Sequence, residues 1–329
     1  MIGSVAGLMA ATAFLAVLPM APAFIELYQR RDTGPVPVKN RVEVIADLAR
    51  EFRDAMEHDS AEIPAGALVR DADWFVDPGV SLSDPIYAKG RLVAGGNNVF
   101  AAIYCEKDVD LGRNSKVLSW LHAEGVVMVQ AGSRVCGRLS AGERVELGSG
   151  CGFERVRAPA IMVAGGAEEF EGEAPEALPQ PQPCSENGEV PEFNPAPQSV
   201  LELVTERVYE HQSFVLQPRT ILPKNVVAVH NVHLMEGSQV TGCVKSNRDM
   251  ELEANVQVGG SLVSAADMRI APGCRVMGPV LAEGELFIAS GTRIGTPAHP
   301  TSVRATRIRV ERGVTIHGSL WAFELGQVT

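Results

Sequence analysis

Four stretches decide the fold: Val232-His-Leu-Met-Glu-Gly-Ser-Gln-Val-Thr-Gly242, Met250-Glu-Leu-Glu-Ala-Asn-Val-Gln-Val-Gly-Gly260, Met268-Arg-Ile-Ala-Pro-Gly-Cys-Arg-Val-Met-Gly278 and Leu286-Phe-Ile-Ala-Ser-Gly-Thr-Arg-Ile-Gly-Thr296. Each starts 18 residues after the one before. Aliphatic side chains recur at Val232, Met250, Met268 and Leu286, at Leu234, Leu252, Ile270 and Ile288, and at Val240, Val258, Val276 and Ile294. Gly237, Asn255, Gly273 and Gly291 keep the same step, and these are residue types that tolerate positive φ, so the spacing predicts a corner at each. Apolar residues two apart suit one face of a pleated strand. A fixed register over four repeats predicts stacked, equivalent units that bury their aliphatic face on one another. An antiparallel sandwich would space its strands by about eight to twelve residues without a common register.

The register reaches back to Phe214, Leu216, Leu222 and Val226. It resumes at Ile308, Val310, Gly313, Ile316, Gly318 and Leu320, after four extra residues around Thr296-Pro-Ala-His-Pro300 that predict a loop on one corner. An earlier block carries the same template in Val127, Val129, Gly132, Val135, Gly137 and Leu139, preceded by Val109, Leu111, Asn114, Val117 and Leu121. Stepping further back gives Val93, Gly96, Val99 and Ile103, and stepping forward gives Val145, Leu147, Gly150 and Phe153. Apolar positions also step by six, from Val93, Val99, Cys105 and Leu111 on to Phe153, so a turn of 18 is three sides of six. One side takes small residues: Cys105, Ala123 and Ala141, then Ser246, Ser264 and Ala282. The expectation is an all-β, triangular β-helix (a β-solenoid with 18 residues per turn), with a first block over 61–163 and a second over 209–329. The step from Val145 to Phe214 is not a multiple of 18, so the register restarts between the blocks.

Composition agrees. Of 329 residues, 46% are hydrophobic but only 5% aromatic, with 32 Gly, which suits many short strands better than a helical bundle. Lys and Arg number 29 against 40 Asp and Glu, a net charge of −11 that offers no general attraction to nucleic acid. Six cysteines without a CxxC pair predict free thiols rather than a disulfide framework or a zinc site.

Met1 to Ile25 contain no charged side chain, and a transmembrane helix is expected over 1–27, with Leu8, Phe14, Leu15, Leu18 and Phe24 among its lipid-facing apolar residues. Ala21-Pro22-Ala23 invites the competing reading of a cleaved signal peptide, but no basic region opens the segment. Arg30, Arg31, Lys39 and Arg41 follow the span, so the positive-inside bias predicts a single-pass protein of the inner membrane whose bulk faces the cytoplasm. Residues 28–60 read as a stiff linker, Thr33-Gly-Pro-Val-Pro-Val38, and an amphipathic helix that places Ile45, Leu48, Phe52 and Met56 on one face to pack on the following domain. Between the blocks, 164–208 is an acidic, Pro-rich insert; its 164–198 portion holds eight Glu, seven Pro and no Lys or Arg, a composition expected of a disordered loop.

Motifs for catalysis are sparse. There is no phosphate loop ending in Gly-Lys-Ser/Thr, no Gly-x-Ser-x-Gly elbow, no His-Glu-x-x-His pair and no Rossmann fingerprint. His122, His233 and His317 fall at outward positions of the repeat. An outward histidine on a six-residue ladder is what a hexapeptide-repeat acyltransferase uses as general base, and an acyltransferase acting on an envelope precursor is the alternative enzyme reading. Such enzymes place Gly directly after the aliphatic corner residue in repeated pairs, an arrangement rare here (Leu147-Gly148, Val258-Gly259, Ile294-Gly295). No cofactor, metal or catalytic residue is expected.

Val127-Met-Val-Gln-Ala-Gly-Ser-Arg-Val-Cys-Gly137 and Met268-Arg-Ile-Ala-Pro-Gly-Cys-Arg-Val-Met-Gly278 resemble the repeat unit of the bactofilins, bacterial polymer-forming cytoskeletal proteins. The resemblance covers roughly 91–163 and 214–323. It implies a right-handed triangular β-helix that polymerises end to end without nucleotide, often at the membrane, and serves as a scaffold for cell-envelope or morphogenesis proteins. The partners it implies are other copies of the chain, membrane lipid through the N-terminal span, and envelope proteins. The chain departs from that family in its two blocks, acidic insert, amphipathic segment and membrane span. Whatever the family, the ends of a solenoid expose unpaired strand edges that must be capped or stacked. Trp74 and Phe75 before the first clear turn, and Trp321 and Phe323 at the C-terminal end, are the aromatic residues placed to form such a cap or an end-to-end interface.

Overall fold

Each 18-residue repeat folds into one turn of three short strands separated by corners, and successive turns stack in register. A computed structural model describes residues 52–53, 67–163 and 206–329. The expected membrane span with Leu8, Phe14, Leu15, Leu18 and Phe24, most of the expected amphipathic helix, and residues 164–205 of the acidic insert lie outside the described residues. The described part is all-β apart from residues 52–53, a β-solenoid of about 12 turns.

Three walls can be followed through the column. Wall A contains Ile86–Ala88, Ile103–Cys105 and Trp120–Ala123 in the first block and Asn225–Ala228, Val244–Ser246 and Leu262–Ser264 in the second. Wall B contains Leu92–Ala94 and Val109–Leu111, then Val232–Leu234, Met250–Leu252 and Met268–Ile270. Wall C contains the shortest strands, such as Lys116–Val117, Gln239–Val240 and Gln257–Val258. Neighbouring turns pair parallel, Val232 to Met250 to Met268 to Leu286, so that equivalent side chains lie directly above one another. Their aliphatic halves form one continuous buried column, and Leu234, Leu252, Ile270 and Ile288 are completely enclosed.

The corner between walls B and C needs left-handed backbone. Gly237, Asn255, Gly273 and Gly291 have φ of 65°, 59°, 74° and 71°. Asn substitutes for Gly because its short polar side chain tolerates this region. On wall A the second inward position is small in every turn after the first of each block. Ser246 donates its hydroxyl to His230 O (2.7 Å) and Asp249 O (3.0 Å), and Ser264 does the same to Arg248 O (2.6 Å) and Asp267 O (3.1 Å). These serines supply the donor for the His230 and Arg248 carbonyls, and a second one for Asp249 O and Asp267 O, which also accept from Val232 N and Met250 N at 3.0 Å. The five described cysteines are free thiols; burial pushes those of Cys151 and Cys274 up to about 11.

Two departures from strict periodicity follow from corner length. Ile86 pairs with Ile103 and Leu92 with Val109, a turn of 17 rather than 18, because the Ala101-Ala102 corner is one residue short. Stepping back by 18 therefore misplaces Val93 and Val99. The enclosed residues of those strands are Leu92, Ala94 and Phe100, and Val93 and Val99 are only partly covered. The extra residues after Ile294 form the expected corner loop, closed by reciprocal backbone bonds between Thr296 and His299, both 3.1 Å, and pairing resumes from Leu286 to Ile308.

The blocks do not follow one another in series. The last strand of the first, Gly152–Val163, pairs antiparallel with the last strand of the second, Thr315–Val328. Two columns of one hand that meet by the same end are related by a two-fold axis across the column, which reverses strand direction at the contact and nowhere else. The register has this symmetry: Val156 meets Leu320, wall A on wall A, whereas Ile161 meets Ile316 and Phe153 meets Gly326, so walls B and C exchange. The junction lies in mid-column, and the two outer ends are both first turns.

Candidate functional site

Three places on this column carry more than packing: the outer ends, the junction, and an aromatic ladder on wall A of the first block.

At the outer ends the strands Leu68–Arg70, Trp74–Val76 and Ser81–Leu82, and Arg207–Glu210, Phe214–Leu216 and Ile221–Leu222, each pair on one side only among the described residues. Their inward residues Trp74, Leu82, Phe214 and Leu222 cover the column only in part. Outward residues there are apolar too: Val69 is 40% exposed, Phe75 74%, Tyr209 54%, Val215 48% and Ile221 59%. Further along the column the positions of Val215 and Ile221 turn polar. Val215 is followed by His233, Glu251 and Arg269, and Ile221 by Gln239, Gln257 and Arg275. Among the described residues, five of the eight exposed large apolar side chains sit in the two first turns, which marks the ends as surfaces with unmet burial.

Trp74 and Phe75 lie at such an end. Trp321 and Phe323 do not, because the C-terminal turn of the second block is closed by the first. Trp321 pairs with Arg155 across the junction, and its indole lies between the guanidinium groups of Arg155 and Arg304, each 4.3 Å from the ring centroid. Phe323 leans on Trp321 with centroids 4.8 Å apart. These aromatics therefore fasten an end-to-end contact inside the chain. His317 contributes to it as well, its Nδ1 donating to Pro159 O at 3.0 Å.

On wall A the parallel register stacks Tyr87 on Tyr104, with ring centroids 5.2 Å apart and planes 4° from parallel, and His122 follows at 5.4 Å. Each tyrosine hydroxyl donates to a carboxylate of the next turn, Tyr87 to Glu106 (2.6 Å) and Tyr104 to Glu124 (2.7 Å). Phe52, one of the two described helical residues, is buried against Tyr87, Tyr104 and Trp120, and Arg53 pairs with Glu124 at 3.4 Å. The expected packing of this segment on the β-helix is present at Phe52, and it covers a side wall. A ring at that position is legible as one residue of an apolar helical face, but its place on wall A is set by the ladder it finds there.

His122 has the setting a search for catalysis would single out. Its Nδ1 is 2.7 Å from Ser140 Oγ, and its Nε2 is 3.6 Å from Glu124. Burial holds the imidazole below its ordinary range, with Glu124 acting in the opposite sense. The 3.6 Å separation is too long for a hydrogen bond, and Glu124 is already held by Tyr104 and Arg53. The cluster's evident chemistry is to tie Phe52 and Arg53 to the wall. His233 is likewise outward and pairs with Glu253 at 2.8 Å. The repeat pattern gave no sign of these acidic partners, since each carboxylate comes from a corner outside the periodic positions. Among the described residues no His, Cys, Asp and Glu group could hold a metal ion, and no helix is long and apolar enough to cross a membrane.

In comparisons with known proteins the chain matches no family model, no curated protein and no solved structure.

Proposed function

We propose that this chain is a non-catalytic β-helical scaffold that assembles end to end, as its resemblance to the bactofilins implies, and that residues 1–27 anchor it in the inner membrane with the β-helix on the cytoplasmic side. The observation that carries this reading is the pair of outer ends. Both combine one-sided strand edges, partly covered core and outward apolar residues, Phe75 most of all. Stacking on another copy would pair the edges and bury those side chains together. The flanks, lined by charged and amide side chains in most turns, are suited to solvent and to partner proteins of the envelope. Negative-stain microscopy and sedimentation of the purified full chain test the proposal. The wild-type chain is expected to form linear assemblies, and Phe75→Asp combined with Ile221→Asp is expected to leave single columns of unchanged circular dichroism. A wild-type chain that stays a single column at every concentration would overturn it.

A further inference from the structure

The two outer ends differ in charge, although both are first turns of the same kind. Residues 67–85 carry Arg70 against Asp71, Asp73, Asp77 and Asp84, a net −3; the equivalent residues 207–225 carry Arg207, Arg219 and Lys224 against Glu210, a net +2. Glu206, just outside that window, pairs with Lys224 at 2.7 Å and lowers the excess without reversing it.

The equivalence is fixed by pairing, since Leu68 lies below Ile86 just as Val208 lies below Val226. In this frame Arg70 matches Glu210, and Asp84 matches Lys224, so the sign inverts at both positions. Arg70 and Glu210 are also the first members of the small-residue line of wall A. Arg70 precedes Ala88 and Cys105, and Glu210 precedes Ala228 and Ser246. At this core-facing place every later turn has a small uncharged residue, and each end has a charge of opposite sign.

Resting on the reading that the column self-assembles, we propose that copies join by unlike ends: the acidic end bearing Trp74 and Phe75 seats on the basic end bearing Tyr209, Val215 and Ile221 of a second copy. A contact of like ends would set a net −3 against a net −3, or a net +2 against a net +2, an excess that the Lys89–Asp71 pair (2.8 Å) at the acidic end lowers without reversing. The unlike contact sets an acidic end against a basic one. Both ends being first turns, the strands at this contact run antiparallel, as at the internal junction. Direction nevertheless passes from chain to chain, and a contact of unlike surfaces propagates without closing. With about 12 turns per copy and roughly 4.8 Å per turn, the axial repeat is about 58 Å.

Charge-reversed full-length chains test the pairing. Asp77→Lys with Asp84→Lys makes both ends basic, and Arg207→Glu with Arg219→Glu makes both acidic. Either pair is expected to raise the concentration at which wild-type assembly begins by about tenfold or more, since like-charge juxtaposition costs several kcal/mol and 1.4 kcal/mol is tenfold. All four substitutions in one chain, which restore opposite ends, are expected to recover assembly and to exclude misfolding as the cause. If the wild type assembles and either two-fold variant assembles equally well, the ends meet like with like; that refutes the pairing and leaves self-assembly intact. If the wild type does not assemble, self-assembly itself fails and the pairing with it.

Discussion

A methyl group at position 326 would test the two-fold junction directly. Built on the backbone of Gly326, a Cβ would stand 2.0 Å from Phe153 Cε2, 2.4 Å from Cδ2 and 2.5 Å from Cζ. Phe153 is 1% exposed and belongs to the continuous core, so its ring cannot swing into solvent. Overpacking a buried site costs about 1–3 kcal/mol, and three ring atoms inside 3.0 Å place Gly326→Ala near the upper part of that range. Phe153→Leu alone, which shortens the ring to a branched chain, costs about 1–2 kcal/mol. In the double variant the leucine leaves room for the methyl, so the combined loss is smaller than the sum by about 1–2 kcal/mol, the coupling expected of residues in contact. Denaturant unfolding of the four full-length proteins, followed by far-ultraviolet circular dichroism, gives each value from the shift in midpoint. Losses that add to within about 0.5 kcal/mol would mean that the two residues do not touch. The tail-to-tail junction would then be refuted, whatever the individual costs.

Four further outcomes follow. Asn255→Ala is expected to cost about 1 kcal/mol, because alanine is strained at φ 59°, while Asn255→Gly stays within about 0.5 kcal/mol of wild type by the same unfolding measurement. Ser264→Ala orphans the Arg248 carbonyl, while Asp267 O keeps its bond from Met250 N, and is expected to cost about 1–2 kcal/mol, whereas Ala282→Ser at the equivalent place in the next turn is tolerated better than Ala282→Val. Trp321→Ala removes an indole held between two cations and is expected to lower stability by about 3 kcal/mol, well above the loss for the half-exposed Phe323. Acid is expected to loosen the ladder. Burial keeps His122 low, and Glu124 is kept low by Tyr104, His122 and Arg53 although burial opposes it. Both folded values lie below the unfolded ones, so this stability is present above the unfolded values and is lost as pH falls through the folded ones. Thermal stability should fall as pH drops below about 6.5, through the His122 contribution, and further below about 4.3, through that of Glu124; His122→Phe should flatten the upper part of the fall, and identical profiles would exclude the histidine.

Much of the column was legible because a solenoid writes its neighbours into its period. Val232, Met250, Met268 and Leu286 could be stacked from their spacing alone, and the positive-φ corner could be found from Gly237, Asn255 and Gly273. The period fails where a corner changes length, and Ala101-Ala102 bears no mark that it is one residue short. The two-fold junction was illegible for a deeper reason. Periodicity relates a turn to the next turn of its own block and is indifferent to how one block meets another, so Trp321 looked like an end residue. The ladder was hidden similarly: Tyr87, Tyr104 and His122 hold outward positions, where hydropathy predicts only solvent, and their meaning appears once Phe52 lies on them.

The reversal at mid-column also bears on how the chain reaches its final state. No described strand passes from one block into the other, and residues 164–205 are the only covalent route between Val163 and Glu206. The two halves find each other as binding partners tied by a tether. During synthesis the first block can finish before its counterpart exists, with the Gly152–Val163 edge exposed and competent to accept a Thr315–Val328 strand from any copy. Crowded folding therefore risks exchange between chains, and the tether, by raising the local concentration of the right partner, biases the outcome toward the closed form.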